Sequence, residues 1–220
     1  MPPPSRDGNP GNRQPALRVT ARVYSKRMAV TLLTIGHSTR GIDELLALLA
    51  EHRIARLVDV RRFPASRRHP QFSREALAAS LAAAGIEYVH EPDLGGRRQP
   101  DPGSPNTAWR VAAFRGYADY MDSEEFAAAC DRVLRAAARS RTVIMCAEAV
   151  PWRCHRRLIA DVATVAGAEV LHILGPGRAD RHELDANARV VGGPAPARVH
   201  LVYDGSPRES PPRLPFPEGA

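Results

Sequence analysis

Short apolar runs alternate with longer amphipathic segments through the middle of the chain. The apolar runs have the length and composition of buried strands, and they cover residues 31–35, 56–60, 86–90, 141–145 and 169–174. The segments between them carry leucine and alanine at helical spacing. They predict helices over residues 42–52, 109–121 and 154–166, another between Ser73 and Gly85, and one that begins at Asp122 or Ser123. This alternation predicts a single α/β domain, with helices on both faces of a mainly parallel sheet of about five strands.

The two ends of the chain lack this pattern. Residues 1–28 are rich in proline, glycine and arginine, and residues 206–220 are rich in proline. We therefore expect two disordered tails around a folded domain at residues 29–205, with Met28 as a candidate for the true start. From Gly175 onward the periodicity weakens, and only residues 199–203 predict a further short strand, at an edge of the sheet.

The net charge of +7 lies mostly in the amino-terminal tail. Residues 1–28 contain six basic residues and one acidic residue, so the remainder of the chain carries only about +2. Lys26 is the only lysine, and so much arginine beside abundant alanine and proline is typical of a GC-rich genome. The charge is therefore weak support for a nucleic-acid-binding domain.

Composition favours an ordinary soluble domain. No apolar stretch is long enough to cross a bilayer, and the amino terminus lacks the apolar core of a secretory signal. We therefore expect a cytoplasmic protein without membrane contact. Its three cysteines are too few, and odd in number, for a disulfide framework, and Cys130 lies in an alanine-rich segment where a buried, inert thiol is expected. The glycine-rich fingerprints of dinucleotide and phosphate-binding loops are absent.

Residues 142–157 concentrate reactive side chains at the end of a predicted strand, where ligands bind in open α/β sheets. The candidate catalytic and binding residues of this run are Cys146, Glu148, Cys154, His155 and Arg156. A helix is predicted to begin at Cys154, and a helix amino terminus next to cationic groups lowers the pKa of a thiol. Cys154 is therefore the first candidate nucleophile, whereas Cys146 either takes part in the chemistry or is buried and inert. Glu148 is a candidate general acid or base, or a neutralising partner for a nearby arginine.

Other polar residues follow the remaining predicted strands. His37 and Asp59 are candidates for proton transfer, although Asp59 could simply pair with an arginine and fix its loop. The candidate substrate-binding residues are Ser38, Arg61, Ser66, Tyr88, Gly95, Gly96, Arg97, Tyr117 and Arg156. The loop at residues 61–69 contains four arginines and no acidic residue. It indicates an anionic ligand, such as a phosphate, a nucleotide or a nucleic acid, or is merely a solvated arginine loop.

A metal site is the alternative use of the same cluster. Thiolate and imidazole ligands suit zinc or iron, and the candidate ligands are Cys146, Glu148, Cys154 and His155, with His37 or His90 as possible additions. The spacing matches no standard zinc pattern. Cys154 and His155 are also adjacent, and adjacent side chains on a helix diverge. The sequence therefore requires no cofactor, and zinc or iron stays an alternative.

Several ordered motifs resemble the DUF488 family of bacterial and archaeal proteins. The matching pieces are Thr34-Ile-Gly-His-Ser-Thr39, Leu57-Val-Asp-Val-Arg61 with Pro64 and Ser66, Tyr88-x-His90, Leu94-Gly-Gly-Arg97, Tyr117-Ala-x-Tyr-Met121, Cys146-x-Glu148 with Pro151, Cys154-His-Arg156, and His172-Ile173 with His182. The family name records an unknown function. The resemblance therefore implies an α/β fold and a site built from these loops, and it implies no reaction.

The architecture also resembles rhodanese-type sulfurtransferases and, more distantly, cysteine phosphatases. In both, a thiolate lies in a loop whose backbone N–H groups bind an anion beside a helix amino terminus. The chain departs from the phosphatase pattern, because Cys146 and Arg153 are one residue too far apart and Pro151 removes one loop amide. The likeness is an analogy of architecture alone.

Three functional hypotheses follow. The favoured one is an enzyme, such as a hydrolase or transferase, that acts on a small phosphate- or nucleotide-like substrate at the carboxyl ends of the strands. The second is a nucleic-acid-associated protein that binds through its arginine loop and basic tail. The third is a metal-binding or redox-sensing module that uses Cys146, Cys154 and nearby histidines. The oligomeric state and the substrate are beyond what these patterns predict.

Overall fold

The predicted apolar runs form the centre of a six-stranded sheet in the computed structural model, which describes residues 30–65, 68–191 and 200–205. The strands are β1 (Thr31–Gly36), β2 (Arg56–Asp59), β3 (Glu87–His90), β4 (Thr142–Cys146), β5 (Glu169–Gly175) and β6 (Arg178–Arg181). Their order is β3-β2-β4-β1-β5-β6. The first five are parallel, and β6 is antiparallel to β5 at one edge. The α/β fold and the mainly parallel sheet are thereby confirmed.

A second, two-stranded sheet follows the main one. It pairs β7 (Ala188–Val191) with β8 (His200–Tyr203) in antiparallel register. The prediction of an edge strand at residues 199–203 is therefore wrong in its partner, since the described part of that segment pairs with β7 and not with the main sheet. The sequence predicts neither β6 nor β7, because both are short, half-exposed strands with little apolar alternation.

In the described residues five α-helices connect the strands, together with three short 3₁₀ helices that each begin at a proline. The α-helices are α1 (Ile42–Glu51), α2 (Arg74–Ala83), α3 (Ala112–Tyr120), α4 (Glu124–Ala137) and α5 (Arg156–Val165). The 3₁₀ helices are Pro70–Phe72, Pro92–Leu94 and Pro151–Arg153. Within the described part of the chain, no helix has the length and apolar character that a membrane span requires.

Serine side chains fix the starts of two helices. The Ser73 hydroxyl accepts a hydrogen bond from the Ala76 backbone N–H at 3.4 Å, as predicted. Ser123 does the same for α4, accepting from the Phe126 N–H at 3.2 Å, so Ser123 and not Asp122 is the N-cap. Gly85 follows α2 with a φ of 72°, the left-handed conformation that ends many helices.

Two helices begin later than predicted. α3 begins at Ala112 and not at residue 109, because Val111 is extended. α5 begins at Arg156 and not at Cys154, because Cys154 has φ −137° and ψ 145° after the 3₁₀ helix. The second difference matters for the site, since Cys154 and His155 do not share a regular helical turn.

The helices cover the two faces of the sheet in separate groups. α1 and α2 pack their leucines on one face, and α3, α4 and α5 cover the other. β4 lies between β1 and β2 and leads to α5 on one face, whereas its two neighbours lead to α1 and α2 on the opposite face. The carboxyl end of β4 is thus a topological switch point, where α/β sheets open a crevice for ligands.

The predicted tails, residues 1–28 and 206–220, lie outside the described residues, as does Ser66. The domain bounds at residues 29 and 205 therefore remain predictions.

Candidate functional site

The carboxyl ends of β1, β2 and β4 meet at one point of the sheet edge. The ladder extends beyond β1, since the His37 N–H donates to the Cys146 carbonyl at 3.0 Å. On the other side the Val60 N–H donates to the Met145 carbonyl at 2.9 Å. Strand register therefore brings the residues after β1 and β2 alongside Cys146.

Three potential ligand atoms converge at this point and form what we call the Cys/His cluster: Sγ of Cys146, Sγ of Cys154 and Nδ1 of His155. All three lie within 4.8 Å of one another. His155 Nδ1 is 3.9 Å from the Cys146 sulfur and 3.8 Å from the Cys154 sulfur. The extended backbone at Cys154 makes this possible, so the predicted divergence of Cys154 and His155 is wrong.

The other nitrogen of His155 decides how the ring can be used. Nε2 lies 3.2 Å from the Val60 carbonyl oxygen, and a carbonyl only accepts hydrogen bonds. Nε2 therefore carries a proton, and Nδ1 is left to the two sulfur atoms. It can accept a thiol proton, share a proton with a thiolate, or bind a metal ion.

Arg156 supplies a buried positive charge beside the cluster. Its side chain is 1% exposed, and its Nε donates to the Cys154 sulfur at 3.4 Å. The remaining donors reach the Thr34 hydroxyl at 3.4 Å and the Glu148 carbonyl at 2.6 Å. Among the described residues Arg156 has no carboxylate partner, and a buried guanidinium without a counter-charge is costly. A thiolate at Cys154 would supply that counter-charge.

The two buried thiols have opposite pKa shifts. Burial raises the pKa of Cys154, but the interactions with Cys146 and His155, together with the charge of Arg156, outweigh burial and hold that pKa well below its usual value. Cys146 shows the reverse, since its interaction with Cys154 and its own burial raise its pKa well above the usual value. The environment therefore favours a negative charge on Cys154 over one on Cys146.

Two residues predicted to bind substrate instead hold the His155 ring. Tyr117 is fully buried and places its ring 5.0 Å from that of His155, while its hydroxyl donates to the Leu94 carbonyl at 2.8 Å. Gly96 leaves no room for a side chain, because a Cβ there would lie 2.9 Å from His155 Nδ1. Both residues therefore act on the orientation of the imidazole.

A comparison with known protein families identifies the family of the chain. A family model described as "Domain of unknown function DUF488" matches residues 41–163, more than half of the chain. The chain belongs to the DUF488 family. The match includes all three members of the Cys/His cluster as well as Gly96, Tyr117 and Arg156. No curated protein and no solved structure matches the chain.

The predicted pair of Asp59 and Arg61 forms a buried support beside the cluster in this DUF488 protein. Two hydrogen bonds of 2.8 and 2.6 Å join the guanidinium to the carboxylate, and Tyr88 donates to the same carboxylate at 3.0 Å. Arg61 also donates to the Phe72 carbonyl at 2.9 Å. These bonds shape the loop after β2 and leave little of Arg61 for a ligand.

His37 is tied into the same support. Its Nδ1 lies 3.0 Å from the Ser38 carbonyl and its Nε2 3.3 Å from Arg61, and its ring stacks on Phe72 at 4.3 Å. Burial and the charge of Arg61 lower its pKa from 6.5 to about 4. His37 is therefore a neutral ring at physiological pH, outside the Cys/His cluster.

The remaining predicted residues lie around the cluster without joining it. Glu148 exposes its side chain, and its backbone carbonyl is what Arg156 uses. His90 bonds to the Arg61 carbonyl at 2.9 Å, and Gly95 packs against Arg62. Ser38 and Arg97 both have left-handed backbones, with φ of 49° and 64°.

A second buried network, which we call the polar chain, runs from Arg156 into the other half of the domain. Thr34 Oγ1 lies 2.7 Å from His172 Nδ1, His172 Nε2 lies 2.9 Å from His182 Nδ1, and His182 Nε2 lies 2.9 Å from Asp161. Tyr203 donates to the second Asp161 oxygen at 2.8 Å. Burial and the neighbouring His182 lower the pKa of His172 from 6.5 to about 3.

The sequence patterns indicate no functional role for the residues of the polar chain. Asp161 is three residues after Leu158, on the apolar side of α5, and His172 interrupts an apolar strand. A charged or polar residue at a core position is a signal of a buried network. The partners, however, are far apart along the chain, and only the strand order shows that they meet.

Proposed function

We propose that the protein is a metal-dependent enzyme in which Cys146, Cys154 and His155 hold one zinc or iron ion at the switch point of the sheet. The carrying observation is the orientation of His155, whose Nε2 donates to the Val60 carbonyl while Nδ1 faces both sulfurs. Metal-binding histidines commonly donate their second N–H to a carbonyl in this way.

The distances support an ion of this kind. Bonds of about 2.3 Å to sulfur and 2.0 Å to nitrogen place the two atoms roughly 3.6 Å apart around a tetrahedral ion. The observed separations of 3.9 and 3.8 Å are close to that value. Two sulfurs and one imidazole nitrogen are ligands that zinc and iron accept.

Three protein ligands would leave the fourth tetrahedral position for water or a substrate oxygen, as in catalytic zinc sites. A bound ion would supply a water of lowered pKa as the nucleophile. Arg156 would stabilise the Cys154 thiolate from behind, and Gly96 and Tyr117 would keep the imidazole in place. The function is thus hydrolysis or group transfer on an anionic substrate that reaches the edge of the sheet.

Metal analysis of protein purified without chelator tests the proposal, with the variants Cys146→Ser, Cys154→Ser and Cys130→Ala. Cys130 is the matched control, since it is a buried free cysteine outside the cluster. We expect one equivalent of zinc or iron in the wild type and in Cys130→Ala, and strong loss in the other two. Wild-type protein that stays metal-free after incubation with zinc would overturn the proposal.

A second candidate, covalent catalysis by Cys154, is favoured by the hydrogen bond from Arg156 to its sulfur. It uses the same atoms without an ion. In metal-free protein it predicts that iodoacetamide modifies Cys154 before Cys146 and Cys130 and abolishes turnover. Protein that keeps its metal and resists alkylation would exclude this candidate, so the two chemistries give opposite results.

A further inference from the structure

We propose that the loops around the cluster form a binding surface for single-stranded nucleic acid, with bases stacked on Phe63 and Trp152 and phosphates held by the surrounding arginines. The binding itself does not require the metal. Only the conclusion that such a strand is the substrate rests on the proposed function.

The first observation is the position of two aromatic rings. Phe63 is 65% exposed and Trp152 is 54% exposed, and no other aromatic side chain in the described part of the chain is classed as exposed. Phe63 follows β2 and Trp152 follows β4, which are neighbouring strands. Both rings therefore follow strands whose carboxyl ends meet at the sheet edge that carries the Cys/His cluster, and the Arg62 guanidinium lies 5.7 Å over the Phe63 ring.

The second observation is unneutralised positive charge in the same loops. Each ring has an arginine next to it in sequence, Arg62 before Phe63 and Arg153 after Trp152. Five exposed arginines of the loops after β2, β3 and β4 have no carboxylate within ion-pair distance among the described residues: Arg62, Arg68, Arg97, Arg110 and Arg153. Outside these loops eight arginines form ion pairs: Arg40, Arg56, Arg132, Arg135, Arg157, Arg178, Arg181 and Arg189. Apart from the buried Arg156, five others outside the loops have no ion pair within the described part of the chain: Arg53, Arg74, Arg115, Arg139 and Arg141.

The third observation is an open groove of about 620 Å³ that begins beside Phe63. Arg62 and Arg98 both line it, and the Arg98 guanidinium lies 3.4 Å over the Tyr120 ring. Two carboxylates, Asp93 and Glu125, line the groove as well, so the positive charge of the surface comes from the loop arginines and not from the groove. The groove contributes an aromatic floor, which suits unstacked bases.

The spread of these groups favours a strand over a single nucleotide. The rings lie on two different loops and the arginines on three, so one nucleotide would engage only a fraction of them. Double-stranded nucleic acid keeps its bases stacked inside the helix and would leave both rings unused. A single strand offers an exposed base and a phosphate at every step.

Binding of a labelled single-stranded oligothymidylate of about 16 nucleotides, measured by fluorescence anisotropy at low salt, tests the surface. We expect Phe63→Ala and Trp152→Ala each to weaken binding about tenfold. Arg97→Ala and Arg153→Ala should weaken binding and each lower the slope of log affinity against log salt by about one. Val190→Ala and Arg139→Ala are matched controls, an exposed apolar residue on β7 and an exposed arginine before β4, and both should bind as the wild type does.

Several outcomes would overturn the proposal. One is the absence of binding at low salt. Another is full binding by the Phe63→Ala/Trp152→Ala double variant, which would assign the affinity to the basic tail. Equal competition by thymidine monophosphate would make the ligand a nucleotide, and equal competition by duplex would remove the role of the rings.

The metal-free Cys154→Ser variant separates this surface from the proposed function. It should bind the oligonucleotide with wild-type affinity. If it binds normally while the wild type also proves metal-free, the surface stands and the metal-dependent enzyme falls. If it loses binding although it is folded, the ligand contacts the cluster and the surface assignment is wrong.

Discussion

The Cys/His cluster and the polar chain are both buried, and both touch Arg156, but their hydrogen bonds differ. In the polar chain each contact is 2.7–2.9 Å long. With both imidazoles neutral, the donors run in one direction, from Thr34 through His172 and His182 to Asp161, which only accepts. In the cluster one nitrogen faces two sulfurs at 3.8 and 3.9 Å. Every polar atom of the first network thus has a close hydrogen-bond partner within the protein, whereas the contacts in the second are about 1 Å longer.

From this difference we infer that the polar chain stabilises the domain, and we propose that the Cys/His cluster serves a ligand. A buried network whose members are all satisfied rigidifies the core, and removal of one member exposes the others to a desolvation penalty. The three ligand atoms of the cluster converge at longer distances, so their contacts should contribute less to folding and leave them able to bind a further partner. The predictions below should therefore separate stability from metal content.

The largest effect is expected at Asp161. Asp161→Ala leaves His182, Tyr203 and the Asp185 N–H without their acceptor, and we expect it to lower the free energy of unfolding by about 3–5 kcal/mol or to prevent folding. Asp161→Asn, which keeps one acceptor oxygen, should cost less and give a folded protein to measure. Denaturation in urea gives the values.

Glu87→Gln is the control, because Glu87 pairs with Arg56 at the surface and its loss should hardly change stability. If Asp161→Ala were as stable as this control, the polar chain would not be a stabilising network.

An intermediate effect is expected from acid. The pKa values of His37 and His172 are lowered to about 4 and about 3 in the folded state, so the unfolded chain binds more protons below pH 6.5. Their contribution to stability is complete above pH 6.5 and is lost as the pH falls towards those values. Each histidine should cost roughly 2 kcal/mol between pH 6.5 and pH 5.

Urea unfolding of metal-free protein at several pH values measures this loss. The groups that face His172 are His182, Arg156, Asp180 and Cys154, and His172→Gln removes the titrating ring while it keeps hydrogen-bonding atoms. The variant should lose its share of the acid dependence, even though it is less stable at pH 7. An unchanged pH dependence in His172→Gln would show that other groups cause the acid sensitivity.

A smaller effect on stability is expected at Gly96, where the cluster and not the polar chain is disturbed. In Gly96→Ala the new Cβ would meet His155 Nδ1 at 2.9 Å, so the ring must turn away from the sulfurs. We expect a cost of about 1–2 kcal/mol in unfolding free energy but a loss of roughly 10–100-fold in zinc affinity. Competition with a chromophoric chelator measures the affinity.

Gly103→Ala is the matched control, since a Cβ at Gly103 meets nothing within 4 Å. Wild-type zinc affinity in Gly96→Ala would show that the orientation of His155 does not matter for metal binding.

Sequence patterns predicted the central sheet well because each of its strands can be recognised from its own residues. Four of the five parallel strands, β1, β2, β4 and β5, have buried apolar residues, whereas β3 at the edge is partly exposed. The serine caps at Ser73 and Ser123 are predicted from a few neighbouring residues. β6 and β7 carry no such signal, and their existence depends on the strands that they pair with. Local patterns thus give the elements, whereas the partner of β8 is set by tertiary contacts.

The candidate site was predictable in its members more than in its geometry. The concentration of Cys146, Cys154, His155 and Arg156 after one strand is visible in the sequence. The extended backbone at Cys154 is not, and it alone turns an unfavourable metal spacing into a convergent one. The polar chain joins residues 138 positions apart, Thr34 and His172, which only the position of β1 between β4 and β5 explains.

The position of β4 in the sheet also determines at which stage of folding the site can form. β1 and β2 are synthesised first, yet they do not pair with each other, because β4 lies between them. A nascent chain that has reached β3 can join β2 to β3, but β1 must wait for a strand made much later, and such distant pairings form slowly. Cys146 is the last residue of β4, and Cys154 follows it by eight residues. The Val60 carbonyl that orients His155 follows β2, so the cluster reaches its final geometry only when β4 has paired with β2.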